Sequence, residues 1–149
     1  MMLQYFERLA SRLEAKIQQT PDLPNARRKF ALEIAKLGTR LYSGQHRVAW
    51  CGVVAPFDML SAMNITSCFV EFVGAMVAST GTVGTFLEES EHDGFAADTC
   101  AYHRGVIGAA LKGFMPIPDV MIATTSPCTG GAGRDGEPGT RFRQGAVCA

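Results

Sequence analysis

Val48 to Val54, VAWCGVV, is the stretch on which the reading of this chain turns. It is short, apolar, rich in β-branched residues and bounded by turn residues, a pattern that predicts a buried strand. Ile65 to Val70 (ITSCFV) and Asp119 to Thr125 (DVMIATT) repeat that character and are the second and third expected strands. Helical segments lie between them. Pro56 suits the first turn of a helix running through Phe57, Met59, Leu60 and Met63, with Asn64 to close it. Another helix is expected from about Glu71 to Ser79, broken at Gly81, and a short acidic one from Thr85 to His92, stopped at Gly94. Asp98 or Thr99 is the expected N-cap of the next. Its apolar stripe is Val106, Ile107, Ala110 and Leu111, and Gly113 ends it. Strands alternating with helices predict an α/β fold with a parallel sheet, Rossmann-like and three-layered.

On the N-terminal side the period changes. Leu3, Phe6, Leu9, Leu13 and Ile17 recur at steps of three and four, the spacing of one helix face. Pro21 and Pro24 end that helix. Asn25 is a suitable N-cap for a second, with a stripe of Phe30, Ile34, Leu37 and Leu41 and with Arg27, Arg28 and Lys29 facing water or a partner. Residues 1–44 therefore read as a helical hairpin and 45–128 as a partial α/β domain. The remaining stretch, 129–149, holds six of the sixteen glycines and no Leu, Ile or Met, so it is expected to be disordered. Three strands make a small sheet. The expectation is an α/β domain interrupted by truncation or by a shifted reading frame.

Composition narrows the function classes. Fourteen basic residues balance fourteen acidic ones, which gives no electrostatic reason to expect nucleic acid or an anionic membrane as partner. The N-terminus carries scattered charges and no continuous apolar run, unlike a signal peptide. The most apolar stretch, Cys68 to Ser79, is interrupted by Glu71 and falls short of the ~20 residues a bilayer span needs. These features predict a soluble, cytoplasmic protein. In that compartment the five cysteines, at 51, 68, 100, 128 and 148, are buried small hydrophobes, reactive thiols or metal ligands, not a disulfide framework.

Open α/β sheets place ligands at the C-terminal ends of their strands. Cys128 follows the third strand, Cys51 lies in the first, and Cys100 starts a helix, where the dipole favours thiolate. There is no CxxC pair, so spacing alone leaves buried structural cysteines as the simpler reading. Cys68, in an apolar strand, reads as core, and Cys148 has no assigned role. His103 and Arg104 follow Cys100 by three and four residues, either as a catalytic or CoA-binding pair or as a surface pair. His46 and His92 read as solvated. Glu71, a carboxylate at a strand-to-helix junction, needs a partner or accepts a raised pKa, and is a second catalytic candidate.

Four segments in order carry a resemblance. Cys51 to Met63, CGVVAPFDMLSAM, resembles the "Pro-x-Glu-Leu-Leu-x-Ala" segment of the 2-hydroxyacyl-CoA dehydratase and benzoyl-CoA reductase family, with Asp58 where Glu is usual. Phe69 to Ser79 is similar to that family's next segment, with Glu71 at its centre. Asp98 to Arg104, DTCAYHR, resembles its "Asp-x-Cys-Ser-Tyr-x-Arg" motif, and Pro116 to Cys128, PIPDVMIATTSPC, its "Pro-x-Pro-Asp" strand ending in cysteine. The series covers roughly residues 46–131. The resemblance implies a subunit that pairs with a homologous second subunit and acts on an acyl-CoA substrate. It implies cysteines holding a 4Fe-4S cluster, fed with low-potential electrons by an ATP-dependent activator protein. Cys100 and Cys128 are the implied ligands, with Cys51 as third and Cys68 competing for that place. An electron added to the thioester carbonyl lets an α-hydroxyl leave, or reduces an aromatic ring. The resemblance leaves dehydratase and reductase both open. Where the family continues with a further α/β region, this chain reads GGAGRDGEPGTRFRQG.

Overall fold

The structure, a computed structural model, describes residues 1–21, 24–123 and the strand 146–148. The chain divides into two compact units, 1–46 and 47–149, close to the expected boundary.

The first unit is the expected helical hairpin. Helix α1 spans Met2–Gln19 and α2 spans Ala26–Tyr42. The buried face of α2 is not the expected stripe. Leu32, Ala35 and Gly38 are buried, whereas Phe30 is 62% exposed and Leu37 also faces solvent. The cause is close packing. The Phe6 ring occupies the space a Cβ at Gly38 would fill, and it stacks on Tyr42 with centroids 5.6 Å apart. Small residues let α1 approach, and that outweighs burial of larger ones. Asn25 stands at the N-cap position, but its side chain does not cap. Its amide donates to the Thr20 carbonyl (2.7 Å) and its carbonyl oxygen accepts from Arg28 (3.1 Å). Arg28 also donates to the Thr20 hydroxyl, so it ties the turn together instead of facing a partner.

The second unit is α/β, as expected. Its strands are β1 (Arg47–Cys51), β2 (Ile65–Phe69), β3 (Val120–Ala123) and β4 (Ala146–Cys148), in the order β2-β1-β3-β4. All pairings are parallel. Each of the three expected strands is present but shorter. The first leaves the ladder after Gly52, whose N–H makes a last bond to the Ile122 carbonyl, and Val53 and Val54 are exposed. Asp119 precedes β3 and fixes its register: its carboxylate accepts from Val48 N–H (2.7 Å), and its own N–H donates to the Val48 carbonyl (2.8 Å). The expected disorder of 129–149 falls outside the described residues except at 146–148, which pair as a strand.

Four helices cover this sheet. Helix α3 (Phe57–Ala62) links β1 to β2, closed by Asn64 in the left-handed region at φ 56°. Helices α4 (Val70–Ser79), α5 (Val83–His92) and α6 (Ala101–Leu111) link β2 to β3. One sheet face holds Ala49 and Cys51 against Leu60 of α3. The other holds Val48, Trp50, Thr66, Cys68, Met121 and Ala123, all buried. Right-handed crossovers put α4–α6 on that second face. The Trp50 indole N–H donates to the carbonyl of Pro116, in the connection after α6 (3.0 Å).

Candidate functional site

The strand order reverses direction of growth at β1, so β1 and β3 flank the switch point, and their C-terminal ends are where this architecture takes ligands. Gly52 lies there, buried. A Cβ on it would stand 3.7 Å from the Ile122 carbonyl oxygen and 3.8 Å from the Glu71 carboxylate. Glu71 is in the first turn of α4, which rises from the end of β2. The carboxylate expected at a strand-to-helix junction is therefore at the ligand edge, half-buried, beside the backbone of the central strand.

Helix α6 reaches the same edge. It leads through 112–119 into the start of β3, so its last turn is at the strands' N-terminal edge and its first turn at their C-terminal edge. Cys100 is its N-cap residue, not Asp98 or Thr99 as expected. The first helical bond is from Arg104 N–H to the Cys100 carbonyl, and the Thr99 carbonyl is taken by the Arg104 side chain (3.0 Å). Close packing holds α6 on two sides. A Cβ at Gly74 of α4 would come within 2.9 Å of the Tyr102 carbonyl oxygen, and one at Gly108 would overlap the Phe86 carbonyl of α5.

The thiols differ in surroundings. Cys100 is exposed, whereas Cys51 and Cys68 are 0% and 2% exposed. Cys51 pairs with Phe69 and Cys68 with Trp50, so the two side chains leave the sheet on opposite faces. Burial raises the pKa of Cys51; a hydrogen bond from Ser67 lowers it, and the Glu71 charge raises it further. Burial pushes Cys68 up to about 12, with Cys51 adding to the rise. Both are protonated at neutral pH in this packing. Cys128 lies outside the described residues. Among the described residues no three His, Cys, Asp or Glu side chains are grouped so that they could hold a metal.

His103 and Arg104 are not a surface pair: both are buried in α6. Arg104 forms an ion pair with Glu91 of α5. Sequence reading missed Glu91, because the two residues sit on different helices and share no local pattern. His92 is exposed, whereas His46 is half-buried. Among the described residues no helix is long and apolar enough to cross a membrane.

The chain matches no protein-family model and no curated protein.

Proposed function

We propose that the second unit is the cluster-binding part of a subunit of the 2-hydroxyacyl-CoA dehydratase or benzoyl-CoA reductase kind. One observation carries the reading. By the connectivity of the parallel sheet, segments that bear the family-like motifs fall toward one edge: the end of β1, the head of α4 with Glu71 and the head of α6 with Cys100. A 4Fe-4S cluster supplies one-electron chemistry at low potential to an acyl-CoA thioester. The donor set fits it in part. Cys100 is an exposed thiol at the N-cap position of α6. Cys100 and Cys128 are the leading ligands on this reading, with Cys51, buried in β1, as the third and Cys68 competing for that place. Glu71, beside Gly52 at the same edge, is placed to hold or move a proton of a ligand bound over the switch point. His103, the other catalytic candidate, is buried in α6. The expected partners remain an ATP-dependent activator protein and a homologous second subunit.

A second reading, a protein-binding module without a cluster, is favoured by the exposed apolar set Val53, Val54, Met59 and Met63 along the β1–α3 connection and α3. Anaerobic expression of the full chain with iron and sulfide analysis separates the two. Cys100→Ser and Cys128→Ser should each lower iron content, and Cys148→Ser should not. Iron that never binds, even after reconstitution in the presence of a partner subunit, would leave only the second reading.

A further inference from the structure

We propose that the outer edge of β2 is the docking surface for a second copy of this chain, joined β2 to β2 in antiparallel pairing; this stands apart from the cluster reading. β2 ends the sheet, and among the described residues it pairs with β1 alone. The direction of its backbone groups follows from its neighbours. The Gly52 N–H and the Val48 carbonyl are bonded on the β3 side, so Ala49 and Cys51 turn their groups toward β2. Ala49 lies opposite Ser67 and Cys51 opposite Phe69. The slanted bonds of a parallel ladder then run to Thr66 and Cys68, and Ile65, Ser67 and Phe69 point their N–H groups outward. Natural sheets guard such an edge with charge, proline or a bulge. Here no residue from Met59 to Val70 is charged or a proline. Apolar surface lines the same edge: Phe57 of α3, 38% exposed, meets the Phe69 ring at 6.2 Å between centroids. Helices lie over both faces of the sheet, so an added strand must be uncharged on both sides. β2 itself meets that requirement. With a two-fold axis at Ser67, that residue exchanges both its bonds with its copy, and at either end the Phe69 N–H meets the Ile65 carbonyl. Ile65 then lies beside Phe69 of the other copy, apolar against apolar, and covers the exposed side of the Phe57–Phe69 pair. The chain's balanced charge, fourteen basic against fourteen acidic residues, sets no net repulsion between copies.

The test is sedimentation equilibrium of the full chain over a concentration series, joined to residue-resolved amide exchange. The parent should pass from one chain to two as concentration rises. The amides of Ile65, Ser67 and Phe69 should gain protection with it, while those of Thr66 and Cys68, bonded to β1, stay protected throughout. Ser67→Pro removes an outward N–H and leaves the β1 ladder intact. It should raise the dissociation constant at least about tenfold. Ser67→Ala keeps that N–H and should dimerise like the parent. Phe57→Glu sets a charge against Ile65 of the other copy and should weaken the dimer as well, so it decides if Ser67→Pro does not fold. A dimer untouched by Ser67→Pro or, failing that, by Phe57→Glu overturns the proposal. So does equal loss in Ser67→Ala and Ser67→Pro, or protection that rises without the alternation. A chain that stays monomeric overturns it too, and is the result expected if a strand of a different protein takes this edge.

Discussion

The ends of β1 and β2 and the head of α6 each carry cysteine, yet they treat it in opposite ways. In the strands, Cys51 and Cys68 fill core positions on opposite faces, and burial keeps both thiols protonated. At the helix head, Cys100 stands outside the packing while the residues just after it, His103 through Ala109, are buried. The difference shows that a thiol's exposure is set by the element that carries it. Strand cysteines here complete a sheet; the helix cysteine is presented by a helix that is itself the best-packed of the unit.

The contrast can be broken most strongly through that helix. Gly108→Ala places a methyl group on the Phe86 carbonyl, against backbone that cannot swing away. It should cost about 3–5 kcal/mol in urea unfolding; a loss below about 1 kcal/mol would show that α5 and α6 are not in close contact. Next in size is thiol labelling of the native protein. Cys100 should react at least about a hundredfold faster than Cys51 or Cys68, a ratio worth about 2.8 kcal/mol of protection. Comparable rates read by peptide mass analysis would remove the distinction between the two regions.

A smaller effect comes from pH. The folded-state pKa of Cys68 lies above its ordinary value of 9.0, at about 12. Its burial contribution is therefore fully present below pH 9 and is lost as pH rises toward 12. Each pH unit in that window should remove at most about 1.4 kcal/mol. Cys68→Ala should abolish that part of the slope, and an unchanged slope in alkaline denaturation would mean the thiol is not buried. The smallest effect belongs to Cys100→Ser, expected to alter stability by less than about 0.5 kcal/mol because its side chain is exposed. A larger loss would place the thiol in the packing after all.

Sequence pattern revealed the strands because apolar β-branched runs between turn residues have few other uses: β2 and β3 lie inside the expected stretches, and β1 starts one residue before its own. It did not reveal which face each cysteine takes. A strand buried on both sides shows no alternation, and only the pairing of Cys51 with Phe69 and of Cys68 with Trp50 settles it. In α2 the largest residues suggested the buried stripe, whereas the packing selected Ala35 and Gly38, because helix approach depends on what the neighbour brings, here Phe6. The candidate edge was legible in outline through Glu71 and Cys100. Arg104 was legible as part of a motif and illegible as a buried group, since its charge is balanced by Glu91 from a separate helix.

The clasp between Asp119 and Val48 has a kinetic consequence. Its two partners are 71 residues apart in the chain, whereas β1 and β2 are joined by one short crossover. Closing the longer loop carries the larger entropic cost, and such non-local pairings slow folding. The β1–α3–β2 segment is thus the natural early structure. On the ribosome the central strand must wait, with one ladder edge open, until residue 119 has emerged.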